Sequence, residues 1–168
     1  MSSNGTLADR NNNPGNIRTS GDNWQGSSGE NGGFVNFTNA EYGVRAVAKN
    51  LYTSQEKHGN NSVAAIISRW APPGENPTDA YISKVAKDLG VGAYDDLGSL
   101  RDNPQLTADL ITSMADMEGA STGPNGKFTD EVVVQGVAMA NGTPASEITF
   151  AEQPTDFDDS QYGYEQAS

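Results

Sequence analysis

Apolar positions recur three and four residues apart in five stretches of the chain, and each stretch is bracketed by residues that start or stop helices. From about Asn39 to Lys57 the stripe is Val44, Val47, Ala48, Leu51 and Tyr52, a helical core face with polar positions elsewhere. Thr38-Asn39-Ala40-Glu41 stands ahead of it with capping-box spacing, which accounts for Glu41. Ser62 caps a second helix with Val63, Ile66, Ile67 and Trp70 on one face, ended by Pro72-Pro73-Gly74, so the spacing assigns Trp70 to the core. Asn76-Pro77 opens a third, the asparagine capping, with Tyr81, Ile82, Val85 and Leu89 inward until Gly90. Asn103-Pro104 repeats the device for a fourth, which carries Leu106, Leu110, Ile111, Met114 and Met117 and breaks at Glu118-Gly119. Its methionines read as core packing. The fifth, from Thr129 to Ala140, sets Asp130 and Glu131 in its positive first turn and Val133, Val134 and Val137 inward, with Asn141-Gly142 after it.

Outside these stretches the pattern changes. Residues 1–9 read as a loose polar leader, and Arg10 to Gly33 as loop, with glycine at 15, 21, 26, 29, 32 and 33. So much irregular backbone is uncommon in a compact domain unless it is functional or mobile. Phe34-Val35-Asn36-Phe37 is a short aromatic strand candidate. The expected fold is therefore mainly α (α+β), a helical domain over residues 10–142 with a small irregular or β lobe. From about Thr143 the chain turns acidic. Residues 150–168 hold Glu152, Asp156, Asp158, Asp159 and Glu165 without a basic residue, yet keep Phe150, Phe157, Tyr162 and Tyr164. Such a tail cannot bury a core of its own; it reads either as disordered or as a peptide that docks on partner proteins.

Charge and composition narrow the chemistry. The chain has 22 acidic and 10 basic residues among 168, a balance that argues against nucleic acid or an anionic membrane as main partner. It has no cysteine, and its one histidine, His58, precedes Gly59 at an expected helix end, so neither a thiolate metal site nor a conventional nucleophile-base pair is available. No metal or cofactor is expected. No basic and apolar signal segment opens the chain, and no run approaches the ~18 apolar residues of a membrane helix. Export by a recognisable signal of its own is not expected.

Arg10-Asn11-Asn12-Asn13-Pro14-Gly15-Asn16-Ile17-Arg18 suits neither helix nor strand. Asparagine amides can bond the backbone locally, and proline and glycine supply turns. Read alone it is a polar turn. It is followed at short range by Trp24-Gln25-Gly26, Phe34-Val35-Asn36-Phe37, Glu41-Tyr42-Gly43-Val44-Arg45-Ala46 and, later, Arg69-Trp70-Ala71-Pro72-Pro73. Over residues 10–142 that succession resembles phage virion proteins and lysins that begin with the same asparagine-rich motif. More distantly it is similar to the cell-wall glucosaminidases of the lysozyme superfamily. The resemblance implies a lysozyme-like fold, a virion location and action on the glycan strands of peptidoglycan, with other virion proteins as partners of the tail and delivery to the wall by a particle or by host lysis after synthesis in the host cytoplasm. Asn11, Asn12, Asn13 and Asn16, with Trp24, Tyr42 and Tyr81, become candidate groups for hydrogen bonding and stacking against N-acetylated sugars, although Trp24 serves equally as a plug over the core.

Glycoside cleavage needs a carboxylic acid to protonate the leaving oxygen, often with a second carboxylate or a substrate amide on the other face. In the lysozyme superfamily that glutamate ends a helix ahead of the polar loop, but residues 1–9 contain none. Either catalysis has been lost and the chain is a virion structural or docking protein, or the order is permuted. Under permutation the candidate acid is Glu118, at the end of the fourth helix before Gly119-Ala120-Ser121; otherwise Glu118 is an exposed last-turn residue. Glu30, in the glycine-rich loop, corresponds loosely to the second acidic position of the glucosaminidases. Glu75 reads as part of a solvated turn. The permuted reading requires Glu118 to lie beside the Arg10 to Arg18 loop.

Overall fold

The computed structural model describes residues 5–74 and 76–148. Its centre is a helix, α2 (Ala40–His58), whose Val44, Val47, Ala48, Leu51 and Tyr52 are all buried. Asn39 starts it, accepting the Tyr42 N–H on its side chain, so the cap falls one residue later than the Thr38 capping-box spacing suggests. Gly59 ends it at φ +69°, leaving His58 exposed in the last turn. Helix α6 (Asp130–Asn141), capped by Thr129, lies against α2. The two approach so closely at Gly136 that a β-carbon there would stand 2.4 Å from the Val44 Cβ.

The remaining helices wrap this pair. Helix α3 (Val63–Trp70) is capped by Ser62, and α5 (Pro104–Met117) by Asn103, as the sequence predicts. Helix α4 (Thr78–Leu89) packs between them. Its start differs from expectation: Pro77 stands at the cap with no side-chain bond, while Asn76 instead donates to the Pro72 carbonyl and closes the turn after α3. The Thr78 hydroxyl, donating to the Ala71 carbonyl at 2.6 Å, holds the other side of that turn.

Two stretches read as loop or leader are ordered. Residues Leu7–Arg10 form a single helical turn, α1, capped by Thr6, with Ala8 buried. Strand β1 (Ser27–Asn31) pairs antiparallel with β2 (Phe34–Phe37), with a bulge between Ser27 and Gly29. Every residue of β1 is exposed, which explains why no apolar alternation announces it. In β2 the buried pair is Val35 and Phe37 rather than the two phenylalanines, as the two-residue period of a strand requires. After Gly142 the chain makes a 3₁₀ turn (Ala145–Glu147) and buries Ile148, so the domain extends past residue 142. Glu75 and the acidic aromatic segment from residue 149 lie outside the described residues. The architecture is mainly helical with a small two-stranded lobe. Among the described residues no helix is long and apolar enough to cross a membrane.

The asparagine-rich loop is seated between the hairpin and α2 through Gly43. A β-carbon at Gly43 would lie 1.8 Å from the Asn12 carbonyl oxygen and 2.8 Å from the Pro14 ring. A helix-interior glycine is disfavoured by about 1 kcal/mol against alanine, so this contact explains the exception. Gly43→Ala should therefore destabilise the protein by about 1–3 kcal/mol in urea unfolding, the range for overpacking. Gly21→Ala, at a site with no atom within 4 Å, should be neutral to about 0.5 kcal/mol in the same measurement.

Candidate functional site

The asparagine loop is built by its own side chains. Asn13, fully buried, donates from its amide to the Ile17 and Val35 carbonyls at 3.0 and 2.9 Å and accepts the Ile17 N–H at 2.9 Å. Asn12 donates to the Phe37 carbonyl, and the Asn11 carbonyl accepts the Phe37 N–H. The Asn11 side chain is also buried and accepts from Asn31. Three of the four candidate sugar-binding asparagines are thus spent on sewing the loop to β2 and its turn. The backbone reaches positive φ at Asn12 (+53°) and Asn16 (+48°), a conformation asparagine tolerates better than most residues. The second of these turns Asn16 away from the sheet.

That turn brings the fourth asparagine to Glu118. The Asn16 amide donates to Glu118 Oε1 at 3.0 Å and to the Glu118 carbonyl at 3.1 Å. The other carboxylate oxygen, Oε2, accepts from the Tyr81 hydroxyl at 3.0 Å. Tyr81 is buried, and burial first, then the neighbouring Glu118 carboxylate, pushes its phenol far above the ordinary range, so it remains a donor. Glu118 itself terminates α5, its N–H bonded to the Met114 and Ala115 carbonyls, and Gly119 follows at φ +86°. Helix α1 fixes this corner: Thr6 donates to the Gly119 carbonyl at 2.7 Å, and Asp9 accepts the Ser121 N–H at 2.8 Å. Lys127 adds a bond to the Asp9 carbonyl.

Glu118 opens onto a cleft of about 570 Å³. The loop supplies Gly15, Asn16, Ile17 and Arg18 to one part of its lining; α2 supplies Asn50, Thr53 and Ser54; α3 and the turn after it supply Arg69, Trp70, Pro72 and Asn76. Gly15 has no room for a side chain, since a β-carbon would sit 2.6 Å from the Trp70 ring and 2.9 Å from Val47. Trp70, assigned to the core by its spacing, is half-buried: it packs against the core cluster and also lines the cleft. Glu118 is the one carboxylate among the described lining residues.

Of the candidate site residues read from sequence, the structure brings together Glu118, Asn16 and Tyr81; Glu118 and Asn16 line the cleft, Tyr81 is buried behind Glu118, and the others lie outside the cleft lining. Glu30 is exposed on β1 and accepts the Gly33 N–H at 2.8 Å, closing the hairpin turn. Tyr42 lies against Gly26, where a β-carbon would fall 2.2 Å from its ring, and Trp24, half-buried, packs against the core. Sequence reasoning missed Arg18, Arg69 and the polar positions of α2. The two arginines and Trp70 do fall inside the quoted motifs, so a signal existed for them; Asn50, Thr53 and Ser54 have none beyond being polar on an amphipathic helix.

Among the described residues no group of His, Cys, Asp and Glu side chains is arranged to hold a metal ion. No protein-family model matches the chain. It is 37% identical over 117 residues to Protein P5 of Pseudoalteromonas phage PM2, an alignment that covers 67% of this chain and 70% of that protein. Similarity of that extent spans a whole fold's worth of positions and not a motif, and on it the chain belongs to the phage protein family that includes Protein P5.

Proposed function

We propose that this protein is a virion-associated hydrolase of peptidoglycan glycan strands, with a lysozyme-like site whose acid is Glu118. The observation that carries the reading is the meeting of a helix-terminal carboxylate with the asparagine loop, across 102 positions of sequence, in a cleft of sugar-binding size. Lysozyme-superfamily sites pair a helix-end glutamate with a polar loop; the meeting supports the same pairing in permuted order. The amide and hydroxyl groups lining the cleft suit hydroxyl and acetamido groups, and the Trp70 flank suits a sugar face. Membership of a phage family supports the virion setting.

In this reading Glu118 protonates the glycosidic oxygen, the C1–O bond breaks, and the leaving sugar departs as a neutral alcohol. Positive charge on C1 and the ring oxygen is then quenched by water or by a hydroxyl of the same sugar, whose proton returns to Glu118. Asn16 and Tyr81 are positioning residues: each grips one carboxylate oxygen. No cofactor enters the scheme.

A non-catalytic virion structural role is the second reading. It is favoured by the same two bonds, which would equally make Glu118 a brace between α5 and the loop. In zymograms and turbidity assays on purified peptidoglycan, the wild type should be active and Glu118→Gln should lose about 10²–10⁴-fold, the usual contribution of a general acid. A wild type inactive on every wall preparation, with virion binding lost on deleting residues 150–168, would establish the structural reading instead.

Tyr81→Phe, which removes only the hydroxyl, should lower kcat by up to about a hundredfold with little change in KM. Asn16→Ala should behave alike. Unchanged kcat in both variants would remove the positioning role while leaving Glu118 as the acid.

A further inference from the structure

In a chain with 22 acidic and 10 basic residues, the cleft has the opposite balance. Its lining carries Arg18 and Arg69 against the single described carboxylate, Glu118. Salt screens exposed charges over roughly 8 Å at physiological ionic strength, so a ligand in the cleft meets these local charges more than the protein's net charge. Neither arginine is ion-paired among the described residues, where the ion pairs are Lys84 with Asp88 and Asp116, and Arg101 with Glu56.

Each arginine is exposed at the cleft. The Arg18 guanidinium carbon stands 4.7 Å from the centroid of the Phe34 ring, a stacking contact that fixes the plane of the group while leaving its N–H fork open. Arg69 projects from the last turn of α3. Complementing that helix end would suffice to explain Arg69 alone, but Arg18 has no helix terminus to complement. Two guanidinium forks with no ion-pair partner among the described residues, on one cleft beside one described acid, are arranged to receive carboxylates carried by the ligand.

We infer that Arg18 and Arg69 read carboxylates on the side arms of the glycan, so that the cleft selects strands of acidic amino sugars, bearing lactyl or peptide carboxylates, over neutral N-acetylglucosamine polymers. The inference rests on the glycan-cleft reading and adds the feature by which substrates are told apart.

The test is calorimetric titration of the full chain carrying Glu118→Gln, so that ligands survive. Three ligands of equal sugar number are compared: uncrosslinked glycan-peptide fragments, the same fragments with their carboxylates methyl-esterified, and N-acetylglucosamine oligomers. The acidic fragments should bind roughly three- to thirtyfold more tightly than the other two, the range expected of two solvent-exposed ion pairs. Adding Arg18→Gln and Arg69→Gln should abolish that preference without altering the melting temperature, and raised salt should narrow it. Equal binding of acidic and neutral ligands, or a preference that survives both substitutions, overturns the inference and leaves the glycan cleft standing. Binding of none of the three overturns both.

Discussion

At Gly43 the Asn12 carbonyl oxygen occupies the place where any other residue would carry its β-carbon. This seating of loop backbone on helix backbone sets the height of the asparagine loop above α2. Asn13 then ties the loop sideways to Ile17 and Val35. With its base and side fixed, the loop has one asparagine left to direct elsewhere, and Asn16, at positive φ, meets Glu118. The cleft, the grip on the carboxylate and the nearness of Trp70 to Gly15 all follow from that placement.

The short motifs along the first third of the chain take on a different meaning in this light. Gly26 of the Trp24-Gln25-Gly26 turn lies against Tyr42, Gly43 against Asn12, and Gly15 against Trp70. Each motif supplies a glycine or a ring to a contact with another motif. The motifs thus interlock with one another, and only a few of their positions face the cleft. Asparagines that look like ligands for sugar are, in three cases of four, substitutes for strand partners in a stretch where the backbone cannot form a ladder.

The five long helices were legible because their apolar stripes and caps are local properties, and the structure differs from the sequence reading mainly where a cap has a competitor. Asn39 displaces Thr38, and Asn76 is drawn to Pro72. Strand β1 and helix α1 were not legible for opposite reasons. The first buries nothing, and the second is a single turn whose order comes from Gly119, Ser121 and Lys127, more than a hundred positions away. At the candidate site, Glu118 could be picked out because it ends a helix before small residues. That Tyr81 would meet it depended on how α4 packs against α5, which no local pattern encodes.

The grip on Glu118 also has a consequence in time. Asn16 and Glu118 are 102 residues apart, and α1 is fastened to the segment just beyond Glu118. A chain emerging from the ribosome N-terminus first carries α1 and the asparagine loop without the partners that order them until the end of α5 has followed. Non-local contacts of this kind are slow to close, because loop entropy is lost before they are made. The cleft is accordingly among the last parts of the molecule to take shape, and a nascent or truncated chain lacking residues 118–121 presents the loop without the carboxylate that completes it.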